Sequence, residues 1–162
     1  MPTITPFLWF DANGEEAMNF YTAVFKNSKA GTVSRYDADT AQAAGIPEGA
    51  ATTGSFELEG QQFMFLNAGP QFKFNEAISF FVSVETQEEV DYYWEKLTAD
   101  GGEESQCGWL KDKFGLPWQI VPKKLGELLG DPDHKKAHSV MQAMLKMQKI
   151  DIAALQTAYD QA

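Results

Sequence analysis

The chain has 162 residues, of which 44% are hydrophobic, and it carries a formal net charge of −10 at pH 7. This length supports one domain with a real core, and so acidic a chain lacks the clustered Lys and Arg needed to bind nucleic acid or an anionic membrane. Residues 1–122 hold 7 basic and 18 acidic side chains, whereas residues 123–162 hold 6 and 5, so we expect the two parts to differ in role.

The N-terminal residues and the single cysteine, Cys107, favour a cytoplasmic protein. Residues 1–10 show no basic segment ahead of an apolar stretch, and no apolar run of about 18 residues occurs, so we expect neither a secretory signal nor a membrane span. One cysteine allows no intrachain disulfide, which is typical of a reducing compartment.

The first part of the chain predicts a βαβββ module over about residues 1–70. A strand over 3–10 precedes a helix over 15–25, whose apolar residues have helical spacing. A short strand follows at 32–36, then a polar, Gly- and Pro-containing loop at 38–51, and then a hairpin formed by residues 52–59 and 62–66.

The pattern begins again over about residues 71–122. We predict a strand at 77–84, a helix at 87–100 closed by Gly101 and Gly102, and strands at 104–111 and 118–121 around a turn at 112–117. The chain therefore predicts two similar modules that together form one domain over residues 1–122.

Residues 123–162 predict a helical extension. Asp131 and Pro132 have the composition of a helix start, and Asp151 is predicted to cap a last short helix. Such short amphipathic helices must cover apolar surface, and the sequence leaves open whether that surface is their own sheet or a second subunit.

Four segments of the sequence resemble one known family. They are FLWFDANGEEAMNFYTAVF, TQEEVDYYWEKL, CGWLKDKFGLPWQIVP and MLKMQKIDIAALQ. These segments are similar to the PhnB-like group of the vicinal-oxygen-chelate superfamily, a group that is often described as 3-demethylubiquinone-9 3-methyltransferase. The superfamily also includes glyoxalases, dioxygenases and bleomycin resistance proteins. The resemblance implies an α+β fold in which two βαβββ modules form a cupped mixed sheet around a small-molecule pocket, followed here by C-terminal helices.

The resemblance also implies where a metal would bind. The superfamily's metalloenzymes hold one divalent ion with His and Glu from the strands, and the corresponding positions here are Thr5 or Pro6, Asn67, Ser79 and Gln119. None of these is His, Asp or Glu, so we expect no tightly bound metal. The methyltransferase description implies S-adenosylmethionine, but the sequence has no strand, Gly-rich turn and helix in succession, so we expect no cofactor.

Several side chains remain candidates for binding a ligand. The predicted ligand-binding residues are Trp9, Asn67, Ser79, Cys107, Trp109 and Gln119. Aromatic residues are equally typical of a core, and a lone cysteine is usually a small buried hydrophobe. His134 and His138 share a helix face but supply only two ligands, and we expect Arg35 to form a surface ion pair with Asp37 or a nearby Glu.

Two classes of function stay open. One is a metal-independent small-molecule binding protein; the other is a lyase, isomerase or transferase that works through neutral polar groups such as Asn67, Ser79 and Gln119. We also expect a homodimer, because the apolar Met141, Met144 and Leu145 lie in a segment that adds no strand to either module.

Overall fold

A computed structural model of the chain describes residues 1–162 and divides it into two compact units, Met1–Lys73 and Phe74–Ala162. Each unit contains one four-stranded mixed sheet, and the chain forms six helices. No helix combines the length and the hydrophobicity that crossing a bilayer requires.

The first unit is a βαβββ module with one inserted helix. Its elements are β1 (Phe7–Phe10), α1 (Gly14–Val24), β2 (Ser28–Arg35), α2 (Ala38–Ala44), β3 (Ala51–Leu58) and β4 (Gln61–Asn67). The strand order is β1-β4-β3-β2, in which β1 runs parallel to β4 and the other pairs are antiparallel. The sheet and α1 bury one core between them, to which the strands contribute Leu8, Phe10, Phe56, Phe63 and Phe65 and the helix contributes Ala17, Met18, Tyr21 and Val24.

The prediction of a loop over residues 38–51 was wrong for its first half, because α2 lies there. Asp37 begins this helix in a capping box: its carboxylate accepts from the Thr40 amide, and the Thr40 hydroxyl accepts from the Asp37 amide. The Thr40 bonds lower the pKa of Asp37. Gly45, at φ 68°, ends the helix in the left-handed conformation. Only Ala41 is buried, so the apolar periodicity was too weak to reveal the helix.

The second unit repeats the topology of the first. Its elements are β5 (Phe80–Val84), α3 (Gln87–Thr98), β6 (Glu103–Glu104), β7 (Trp109–Lys111) and β8 (Pro117–Pro122), and its strand order is β5-β8-β7-β6. β5 is parallel to β8, and the remaining pairs are antiparallel. The predicted α+β class and the two βαβββ modules are therefore confirmed. The single strand predicted over 104–111 is interrupted by a turn in which Cys107 and Gly108 have φ of 59° and 84°.

A buried carboxylate organises the turn between β7 and β8. Asp112 is 2% exposed and accepts hydrogen bonds from the backbone amides of Phe114 and Leu116 and from the indole Nε1 of Trp118. These three donors satisfy a charge that would otherwise be costly to bury, and they fix the point at which β8 begins.

The C-terminal segment folds onto the second unit as α4 (Lys123–Leu129), α5 (His134–Met144) and α6 (Ile152–Asp160). Helix α4 was not predicted, and α5 begins at Asp133 instead of Asp131, since the Asp133 carboxylate caps the amides of Lys135 and Lys136. The predicted cap at Asp151 is confirmed. The buried cluster of this region consists of Val121, Leu125, Leu128, Val140, Ile150 and Leu155.

Candidate functional site

The second sheet presents one face whose side chains are only partly covered. Along β8, Trp118 and Ile120 are buried, whereas Gln119 between them is partly exposed, as the alternation of a strand requires. Phe81 is the Cα partner of Gln119 on β5, and Trp109 is its partner on β7. We call this face, formed by Ser79, Phe81, Trp109, Lys111 and Gln119, the second open face.

Three of the predicted site residues meet on the second open face. The Gln119 amide nitrogen Nε2 donates to the Ser79 hydroxyl Oγ at 2.9 Å, which joins the start of β5 to β8. Trp109 lies directly opposite Gln119 in the antiparallel ladder, a geometry that brings the two Cβ atoms within about 5 Å of each other. The carbonyl oxygen of Gln119 has no partner within the protein in this arrangement, so this cluster offers an acceptor beside an indole ring.

Charged residues lie at one edge of the second open face. Lys111 forms an ion pair with Glu76 and is the Cα partner of Glu103. The hydrogen bond between Lys111 and Glu76 raises the pKa of the lysine and lowers the pKa of the glutamate. A pocket of about 130 Å³ opens here, lined by Glu76, Glu103, Glu104, Ser105, Trp109, Leu110, Lys111 and Pro117.

Trp9 belongs to the first sheet. Leu8 and Phe10 are buried in the core, so Phe7 and Trp9, which alternate with them, point to the opposite face together with Met64 and Leu66. We call this the first open face. The Trp9 indole Nε1 donates to the carbonyl oxygen of Gly69 at 2.9 Å, which fixes the ring.

Asn67 points to the core side of the first sheet and is 4% exposed. Its Oδ1 accepts from the Gly14 amide at 2.8 Å, and its Nδ2 donates to the Ala51 carbonyl at 3.1 Å. The side chain thus caps the start of α1 and joins it to β3. With both ends of its amide engaged, Asn67 holds elements of the first unit together and is separate from the first open face.

Cys107 lies in the turn before β7, where the C-terminal segment joins the second unit. Its backbone amide donates to the Met147 carbonyl at 2.8 Å, and the Gly108 amide donates to the Gln148 carbonyl at 2.8 Å. A Cβ on Gly108 would lie 3.0 Å from the Ile120 carbonyl and 3.2 Å from Ile150. The structure therefore places the backbone of Cys107 at a packing junction with the C-terminal segment, and no contact joins its side chain to the hydrogen bond between Ser79 and Gln119.

The remaining charged candidates have structural explanations. Arg35 forms the expected ion pair, with Glu15 at 3.0 Å, and also donates to the Gly49 carbonyl. His134 and His138 are exposed on α5. No group of three or more His, Cys, Asp or Glu side chains could hold a metal ion.

The residues at the superfamily's metal positions do not fit a transition-metal ion. Ser79 and Gln119 offer a hydroxyl and an amide that bond to each other, and Asn67 is engaged on the other side of its sheet. Transition metals in proteins require imidazole, thiolate or carboxylate donors, and none is present at these positions.

Gly54 and Gly102 do not fit an S-adenosylmethionine-binding turn either. Gly54 lies inside β3, where a Cβ would come within 2.3 Å of the Phe65 ring, so its role is to admit that ring. Gly102 follows α3, and a Cβ there would lie 2.6 Å from Thr98 and 2.8 Å from the Lys111 carbonyl. Both glycines serve close packing, and neither precedes a helix as a nucleotide-binding turn does.

Sequence reasoning missed the charged edge of the second open face. The position of Lys111 follows from Trp109 by strand alternation, so it could have been found once β7 was assigned. Glu76 comes from the segment between β4 and β5, which has no periodicity, so only the fold brings it to Lys111.

Comparisons with known proteins agree with this architecture. Residues 2–121 match the model of the family described as 3-demethylubiquinone-9 3-methyltransferase. A PhnB protein of that description from Bacillus cereus is 36% identical, with a TM-score of 0.67, over 75% of this chain and 99% of that chain.

More distant solved structures share the fold. Protein PA1353 from Pseudomonas aeruginosa has 19% identity and a TM-score of 0.58 over 75% of this chain and 98% of that chain. The fosfomycin resistance protein FosX from Listeria monocytogenes has 16% identity and a TM-score of 0.56 over 80% and 98% of the two chains. A search of curated proteins found no match. The chain belongs to the 3-demethylubiquinone-9 3-methyltransferase family, in its PhnB-like group.

Proposed function

We propose that this protein binds a small organic molecule without a tightly bound metal, through Ser79, Trp109 and Gln119. The observation that carries the proposal is the cluster on the second open face, where an indole ring lies opposite an amide that is held by a hydroxyl. Small-molecule sites combine apolar and aromatic surface with a few placed polar groups, and this cluster has that composition.

The chemistry of the cluster favours binding over acid–base catalysis. Ser79, Trp109 and Gln119 have no charge near neutral pH, and neither an amide nor an indole exchanges protons readily there. They can orient a ligand by a hydrogen bond and a ring contact. The pocket beside them adds one lysine and three glutamates, which suits a ligand that has at least one polar end.

Copurification tests this proposal. The purified protein is incubated with a metabolite extract, separated from unbound compounds by gel filtration and analysed by native mass spectrometry. We expect one bound compound, recovered unchanged, at close to one per chain. A compound recovered in chemically altered form would instead identify an enzyme, and the absence of any bound compound would contradict the proposal.

Two variants make the test specific. Replacing Gln119 and Trp109 by alanine is expected to reduce the bound fraction at least tenfold. Gln142→Ala serves as the matched control, because Gln142 is exposed on α5 and lies outside the cluster. Equal loss of bound compound in both proteins would contradict the assignment of the site.

We propose further that the protein is a cytoplasmic homodimer that contains no stoichiometric transition metal. The exposed apolar residues Met141, on α5, and Leu145, at its C-cap, support the dimer, and the single cysteine supports a reducing compartment. Elemental analysis of protein purified without chelator tests the metal claim. One zinc, nickel, manganese or iron ion per chain would refute it.

A further inference from the structure

The segment between β4 and β5 carries a phenylalanine onto the first open face. The Phe72 ring meets the Trp9 ring edge to face, with centroids 4.9 Å apart and an interplanar angle of 83°. Phe72 is nevertheless 65% exposed, so most of its surface remains in water. The contact with Trp9 therefore occupies part of the indole without burying the phenylalanine.

A ring contact of this kind is weak enough to open. Edge-to-face aromatic pairs favour the closed arrangement by about 2- to 12-fold over no contact. Phe72 lies in a segment without helix or strand, and Gly69 before it has φ 95°, a conformation that glycine adopts readily. The ring of Phe72 can thus leave Trp9 at little cost to the sheet.

Trp9 itself does not depend on Phe72 for its position. Its indole Nε1 donates to the Gly69 carbonyl, and its strand position pairs it with Leu66. Since the single donor of the indole is engaged, what Trp9 can offer to a ligand is ring surface. Phe7, Met64 and Leu66 on the same face add apolar surface and no charge.

We propose that Trp9 is a binding subsite for a flat, unsaturated, uncharged ring, and that Phe72 is a built-in cover that occupies this subsite until the ring of a bound molecule replaces it. The inference rests on the proposed small-molecule function and names the class of group that the first open face accepts. The Phe72 ring is the internal stand-in for that group, and the formal charge of −10 disfavours an anionic one.

Fluorescence quenching tests the cover without any ligand. In a Trp109→Phe background, Trp9 is the only tryptophan open to acrylamide, because Trp94 and Trp118 are 4% and 3% exposed. We expect Phe72→Ala to raise the quenching constant about twofold, since it removes the ring that covers the indole. Ile78→Ala is the control: Ile78 is 70% exposed on the same segment and should leave quenching unchanged. An unchanged constant in Phe72→Ala would overturn the cover.

Binding of Nile red, a flat uncharged dye, tests the subsite. A cover that competes with the dye predicts that Phe72→Ala binds it about 2- to 12-fold more tightly, that Ile78→Ala binds it as the parent does, and that Trp9→Ala loses binding at least tenfold. Trp9→Phe, which keeps an aromatic ring on β1, should bind the dye with intermediate affinity. This variant is the control for a loss of folding in Trp9→Ala. Weaker or equal binding by Phe72→Ala would overturn the proposal.

The two proposals fail in different ways. If metabolite binding depends on Trp109 and Gln119 but Phe72→Ala changes neither quenching nor dye affinity, the cover alone is refuted. If Phe72→Ala exposes Trp9 and tightens dye binding but no metabolite binds the protein, the proposed function alone is refuted.

Discussion

The two units share one strand order, but their open faces differ in chemistry. Along β1 and β4 the first presents the apolar or aromatic Phe7, Trp9, Met64 and Leu66, with Thr53 and Ser55 beside them on β3. The second presents Ser79, Phe81, Trp109 and Gln119 beside the Lys111 ion pair. The same backbone topology therefore carries different side chains in the two modules, and the charged ion pair is found on the second face.

The units also differ in what stabilises them. The first unit contains its core within the βαβββ module, whereas the second unit adds α4, α5 and α6, whose cluster buries the end of β8 at Val121. The family match ends at residue 121, so these helices lie outside it. The C-terminal segment thus supplies most of the buried cluster at the end of β8 in the second unit.

Truncation after Pro122 should give the largest effect. It removes Leu125, Leu128, Val140, Ile150 and Leu155 from the cluster, and each buried aliphatic side chain is worth about 2–5 kcal/mol. We expect the free energy of unfolding to fall by about 5 kcal/mol or more. Hydrogen exchange should show protection lost first in residues 74–122. Equal loss of protection in both units would contradict the conclusion that the C-terminal helices stabilise the second unit in particular.

Asp112→Ala tests the turn of the second unit. The change leaves the amides of Phe114 and Leu116 and the Trp118 indole without their acceptor, and we expect a loss of about 3 kcal/mol in urea unfolding. Asp11→Ala, at an exposed position, is the control and should change stability by less than about 0.5 kcal/mol. A loss below about 1 kcal/mol for Asp112→Ala would show that water replaces the carboxylate.

Asn67→Ala is the counterpart in the first unit. It breaks the bonds to Gly14 and Ala51 in a buried position, so we expect a loss of about 2 kcal/mol. Asn19→Ala on the exposed side of α1 should be close to neutral. If Asn67→Ala abolished metabolite binding while leaving the melting temperature unchanged, Asn67 would contact the ligand instead of connecting α1 to β3.

We attribute association to the second unit, where Met141 on α5 and Leu145 at its C-cap are both exposed. We expect light scattering to give twice the 18.0 kDa of one chain at micromolar concentration. Replacing both residues by glutamate should raise the dimer dissociation constant at least tenfold, about 1.4 kcal/mol. A parent protein that is monomeric would refute the dimer.

The smallest effect concerns the Lys111 and Glu76 ion pair. The lowered pKa of Glu76, below its ordinary 4.5, means that the pair adds stability above that value, which is lost as the pH falls through the lowered pKa. We expect Glu76→Gln to lower the urea midpoint slightly at pH 7, and we expect this difference to shrink as the pH falls through the lowered pKa of Glu76. Glu48→Gln, an exposed position in the first unit, should show no such dependence. A difference that did not shrink as the pH fell would contradict charge as its cause.

Much of the architecture could be predicted from the sequence. Alternating and helical spacing of apolar residues gave both βαβββ modules, and Asp151 was correctly expected to begin the last helix. These features depend on residues close in sequence. Helices α2 and α4 were missed because each is seven residues long and buries few side chains.

The sequence by itself determined the alternation of strands and helices, the family and the types of side chain available. Only the tertiary structure decided which of them meet. Asn67 points to the core side of its sheet, because a shift of one residue along a strand moves every side chain to the opposite face. Glu76 contacts Lys111 and Phe72 contacts Trp9 from a segment whose sequence has no periodicity. Contacts between residues distant in sequence follow from strand pairing and register, which local patterns do not specify.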